Sequence, residues 1–137
     1  MVGFIQEQEN VRTIAFDRIR EMDTTEEKFT VPKKFSAKKM FEDRIGIFVD
    51  DQAAPQKVIL RAHGPSVDYL RSLPLHSSQE EIITKHGIYS DFQYKIYLNP
   101  ELETKILAMG ENIEVLKPKE LRDKIADRLQ SAANRYK

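Results

Sequence analysis

No cysteine occurs among the 137 residues, which rules out a disulfide framework and any thiolate metal site. Glycine is scarce and scattered, five in all, with neither a GxGxxG run nor a Gly-Lys-Ser/Thr triplet, so nucleotide-phosphate loops are not supported. Charge of either sign is not in excess: 22 basic residues balance 22 acidic ones. That balance argues against a broad electrostatic footprint for duplex DNA and leaves room only for a local basic pocket. No apolar run approaches the roughly 18 residues of a membrane span, and the first residues lack the charged-then-apolar layout of a signal peptide. The expectation is a cytoplasmic protein with no membrane partner. Internal repeats and low-complexity runs are likewise missing.

What the chain does have is 40% hydrophobic and 32% charged residues, the balance of a folded domain rather than of a disordered segment. Its length suits one domain, or a compact domain with part of a second. Gly3-Phe4-Ile5 and Val11 to Phe16 read as a hairpin around the polar turn Gln6 to Asn10, with Arg12, Ile14 and Phe16 on one face. Two strands alone are marginal in water, so this hairpin should belong to something larger. Residues 20 to 45 have no steady period and read as a connector. Apolar points at Phe29, Val31, Phe35, Met40 and Phe41 should pack it against a domain, and a short helix is expected from Ser36 through Phe41.

From Ile45 the pattern becomes regular. Lys57 to Ala62 alternates as a strand, and Pro65 and Pro74 bracket a helix with Val67, Leu70 and Leu73 on one face. Glu80 to Lys85 gives a second strand, turning at His86-Gly87. Phe92, Tyr94, Ile96 and Leu98 form an alternating stripe that reads as core rather than as a base-stacking platform. Asn99-Pro100-Glu101 is a helix start with Leu102, Ile106 and Met109 as its buried stripe, and Gly110 is its terminating glycine. Ile113 and Val115 mark a fourth strand stopped by Pro118, and the last helix is expected to bury Leu121, Ile125, Leu129 and Ala132. The order β-α-β-β-α-β plus a terminal helix predicts an α+β fold of the ferredoxin-like, split βαβ kind.

Chemistry is sparse. His63, His76 and His86 match no metal-ligand spacing, and neither a metal nor a cofactor is expected. His76-Ser77-Ser78-Gln79-Glu80 places imidazole, hydroxyl and carboxylate together. Catalytic triads assemble from distant segments, so Ser77, Ser78 and Gln79 are expected instead to satisfy backbone groups where helix becomes strand. Glu26-Glu27 and Glu80-Glu81 read as solvated. Arg12 and Arg18 flank the end of the hairpin, where a guanidinium beside apolar groups can clamp a phosphate or carboxylate; surface pairs such as Asp17–Arg18 or Arg20–Glu21 are the plainer alternative.

Arg12-Thr13-Ile14-Ala15-Phe16-Asp17-Arg18-Ile19 resembles the closing strand of the WYL domain. Leu73-Pro74-Leu75-His76-Ser77-Ser78-Gln79, Phe48-Val49, Val58-Ile59-Leu60 and Met109 through Pro118 resemble the C-terminal extension that follows it in bacterial transcriptional regulators. The resemblance implies three parts: residues 1–19 as the terminal hairpin of an SH3- or Sm-like barrel, 20–45 as connector, and 46–137 as the extension. It implies a non-enzymatic regulatory fragment, dimeric, with Arg12 and Arg18 contacting a nucleotide or nucleic-acid effector. The residues 118–135 and the sheet edge are the expected subunit contacts. Operator DNA would be bound only through a helix-turn-helix that these residues do not include. Two other classes stay open: a ferredoxin-like module that binds small ligands, and an acylphosphatase-type hydrolase. The hydrolase would need an arginine-bearing loop where this chain has Ala62-His63-Gly64-Pro65.

Overall fold

A computed structural model describes residues 1–5, 10–31, 33, 35–48 and 54–137. Of the turn expected over Gln6 to Asn10, residues 6–9 lie outside the described residues, as do Pro32, Lys34 and Val49. The fold is α+β. Strands β1 (Val2–Ile5) and β2 (Asn10–Thr13) form a two-stranded antiparallel sheet. A short helix α1 (Ala37–Phe41) follows, its N-terminus capped by the Ser36 hydroxyl. Then come β3 (Gln56–His63), α2 (Pro65–Ser72), β4 (Glu80–Lys85), β5 (Tyr89–Ile96), α3 (Pro100–Ala108), β6 (Ile113–Lys117) and α4 (Lys119–Asn134).

The larger sheet has the order β4-β5-β3-β6 with every pair antiparallel, which is the expected split βαβ arrangement. Alternation produces it. Val58, Leu60 and Ala62 of β3 and Phe92, Tyr94 and Ile96 of β5 are all at most 1% exposed. They meet Leu70 of α2 and Leu102 and Ile106 of α3 in one core. Each large side chain buried this way contributes about 2 kcal/mol. Asn99 caps α3 by accepting the Leu102 N–H at 2.8 Å, with proline at the first helical position as the sequence predicts.

Three expectations are corrected. The second hairpin strand ends at Thr13, not Phe16. Ile14 still pairs with Met1 through its N–H and carbonyl. Phe16–Arg18 then coils into a single 3₁₀ turn, leaving Phe16 exposed. Arg12 therefore does not share a strand face with Phe16. Leu73 is exposed because it sits past the last turn of α2 in a non-helical conformation. Leu129 and Ala132 are exposed as well. Helix α4 has 16 residues and α3 only nine, so Leu121 and Ile125 find cover while the last turns of α4 run past it.

The end of the connector is bound into the larger domain. Ile45 is 4% exposed within the core, and the Asn99 side-chain amide donates to its carbonyl at 2.8 Å. Arg44 lies over the Tyr97 ring at 3.8 Å. The Ile47 and Phe48 N–H groups donate to the two oxygens of Glu101 at 2.9 and 3.1 Å, across Gly46 at φ +79°. The Thr13 hydroxyl donates to the Ile47 carbonyl at 3.2 Å, which ties the hairpin to the same point.

Candidate functional site

The segment from Pro74 to Gln79 is a hydrogen-bonding hub. Gln79 accepts from the Tyr94 hydroxyl (2.9 Å) and the Leu75 N–H (3.1 Å) and donates to the Leu70 carbonyl (2.6 Å). Tyr94 is buried, which pushes its phenol pKa up and keeps it neutral. The Ser78 hydroxyl bridges the Lys95 N–H and carbonyl. The Ser78 N–H donates to Nδ1 of His76 at 3.1 Å, so the ring proton belongs on Nε2, where it meets the Glu42 carbonyl at 2.8 Å. This hub is structural, as the sequence predicts for Ser78 and Gln79. It fastens the end of α2, strand β5 and the connector to one another. Ser77 is exposed and makes no hydrogen bond among the described residues.

Titratable groups gather at the opposite end of the domain. A cavity of about 460 Å³ opens between the start of α2 and the β4–β5 turn, lined among others by Asp68, Arg71, Lys85, His86 and Tyr89. Gly64, at φ +51°, is the single residue joining β3 to α2. Arg71 donates to both oxygens of Glu81 (3.1 and 2.7 Å) and to Asp68 (3.0 Å). Glu81 is exposed, as the sequence suggests, and is in addition ion-paired. The Arg71 hydrogen bonds, with help from Thr84, hold its pKa down to about 2. Cavity size and mixed lining suit a small polar ligand.

Beside this cavity runs the face of the sheet turned away from the helices. Arg61 and Asp91 stand opposite each other on β3 and β5 and form a two-pronged ion pair at 2.7 and 2.9 Å. The guanidinium lies over the Tyr89 ring at 3.8 Å, and His63 meets the same ring edge-on. Asp91 raises the already high pKa of Arg61, fixing its charge. Glu114 of β6 pairs in register with Arg61 on the other side and binds Arg122 at 2.8 Å. Sequence reasoning missed this cluster. Its signal is present, since Arg61 and His63 alternate with the buried stripe of β3 and Asp91 does so on β5.

Arg12 lies on β2 opposite Gly3, and Arg18 closes the 3₁₀ turn; both are exposed. Among the described residues neither forms an ion pair, and the surface pairs Asp17–Arg18 and Arg20–Glu21 are not formed either. Among the described residues, neither arginine lines the cavity beside Arg71 or the second one between hairpin and connector. The adjacent Val11 points into a second cavity of about 440 Å³, lined by Val2, Phe4, Phe29, Val31 and Phe35 between hairpin and connector. Alternation along β2 sends Arg12 to the opposite side.

A family model described as the WCX domain, a domain found in WYL-type regulators, matches residues 54–133. No curated protein matches the sequence. Among the described residues no helix is long and apolar enough to cross a membrane.

Proposed function

This chain belongs to the WCX domain family, and from that premise we propose that it is a non-enzymatic regulatory module of a WYL-type transcriptional regulator, cytoplasmic, which senses an effector and pairs with a second copy of itself. The effector is an anion, a nucleotide or a short nucleic acid, held by Arg12 and Arg18. The observation that carries this reading is the hairpin's placement. Arg12 on the hairpin and Arg18 in the turn that follows it stand exposed without carboxylate partners among the described residues. The strand that bears Arg12 is bonded through Thr13 and Ile47 to Glu101 of the WCX domain. An anion captured there acts on a segment already connected to the domain core.

The test is titration of the full chain with single-stranded oligonucleotides and nucleotides, monitored by fluorescence anisotropy and thermal shift. Arg12→Ala and Arg18→Ala should each weaken binding about tenfold, the scale of a lost charge-assisted hydrogen bond. Each should also lower the salt dependence of oligonucleotide binding by about 0.7 per phosphate contact. Binding indifferent to both substitutions refutes the assignment. The cavity near Arg71 and Tyr89 supports a second reading as a small-ligand module; there the same screen run with amino acids would give the response, and Lys85→Ala would abolish it. Acyl-phosphate hydrolysis is the least supported reading, because Gly64 alone joins β3 to α2 and no arginine-bearing loop lies between them.

A further inference from the structure

We propose that β4 is the edge through which two copies of this chain join, strand to strand and antiparallel, around a two-fold axis at Ile83. The proposal rests on the reading of the chain as a self-pairing module and names the surface. Among the described residues, strand β4 ends the sheet and is bonded only to β5. It exposes Ile82 (39%) and Ile83 (50%), an apolar edge of the kind that adds a further strand.

The residue order selects the partner. Glu80 and Glu81 stand at one end of β4 and Lys85 at the other. A parallel second copy in register would set glutamate against glutamate, which is destabilising. An antiparallel copy sets Glu80 against Lys85, and symmetry repeats the pair. The same charges that deter other strands thus favour this arrangement.

Geometry agrees. The register of β4 on β5 runs Glu80↔Gln93, Glu81↔Phe92, Ile83↔Asp91, Thr84↔Ser90 and Lys85↔Tyr89, skipping Ile82. Ile82 is a bulge, and Ile83 becomes the middle of the paired positions. Glu80, Ile83 and Lys85 consequently share one face, and Glu81 and Thr84 share the other. In an unbulged strand Glu80 and Lys85 would point to opposite faces and could not meet across a two-fold axis. With the bulge, Ile83 faces Ile83 of the second copy, Thr84 faces Glu81, and Lys85 faces Glu80, each on its proper side. Glu81 is already held by Arg71 and Thr84 of its own chain, and the threonine opposite it brings no like charge. The two four-stranded sheets become one.

Sedimentation velocity on the full chain, with Glu80→Lys, Lys85→Glu and the double exchange, tests this. Each single reversal replaces two attractions by two repulsions and should weaken dimerisation about tenfold or more; the double exchange should restore it. The absence of native cysteine allows a second probe. Ile83→Cys should oxidise to a covalent dimer, whereas Leu129→Cys, exposed on α4, should not. A dimer indifferent to the reversals, or one the double exchange fails to restore, overturns the β4 edge and leaves the self-pairing module intact. A wild-type chain still monomeric at about 100 μM overturns both.

Discussion

Replacing Gln79 by leucine removes three hydrogen bonds with one side chain of similar volume. It strands the Tyr94 hydroxyl, which lies in a residue only 1% exposed, the Leu75 N–H and the Leu70 carbonyl. Each buried orphan costs about 1–3 kcal/mol. Leu75 is only half-buried, so water can replace part of that loss, and the total should come to about 3 kcal/mol. Tyr94→Phe removes only the hydroxyl, and Gln79 keeps its other two partners; its cost should be about 1 kcal/mol. In the Tyr94→Phe background no hydroxyl is left to strand, so Gln79→Leu should become cheaper by about 1–2 kcal/mol. Urea unfolding followed by circular dichroism measures all four proteins, with an unchanged slope as the condition for comparing midpoints. Additivity within about 0.5 kcal/mol would refute the hub, as would a Gln79→Leu cost below about 1 kcal/mol.

Gly46→Ala should destabilise the chain by at least about 2 kcal/mol, combining the left-handed backbone with the loss of a charge-assisted contact. An added Cβ would collide with the Glu101 carboxyl group. Urea unfolding should show a smaller cost when Glu101→Ala has already cleared that space. Glu81 supplies the pH prediction. Its folded pKa lies below the usual 4.5, at about 2. The stability it contributes is therefore complete above pH 4.5 and lost as pH falls toward 2. The stability gap between the wild type and Glu81→Gln should shrink across that window, and a constant gap would contradict the pairing with Arg71.

The order of elements and the core of the larger domain were legible because alternation and helix caps are local signals. Val58-Leu60-Ala62, Phe92-Tyr94-Ile96 and Asn99-Pro100 declare themselves within a few residues. The overreach in α4 has the same origin: the period that buries Leu121 and Ile125 continues to Leu129, but whether cover extends that far depends on the length of α3. Phe16 was misplaced because alternation does not mark where a strand stops: Ala15 is still extended, and Phe16–Arg18 then coil into a 3₁₀ turn. The Arg61–Asp91–Tyr89 cluster was hidden for a different reason. It joins residues about 30 apart in sequence through the register of β3 and β5, and register is invisible until the sheet is assembled. The pairing of Glu81 with Arg71 was hidden likewise, because Arg71 lies on another element.

The peptide groups at Ile47 connect two parts of the molecule in series: its carbonyl takes the Thr13 hydroxyl, and its N–H holds the carboxylate in the first turn of α3. Anything that binds the hairpin better in this position than in another must also stabilise that turn of helix, and a weakened turn must in return loosen the hairpin's grip on its occupant. The coupling is reciprocal by thermodynamic necessity. Were the hairpin to take up an occupant, the melting temperature of the WCX domain would register it, even for an occupant that never touches the domain.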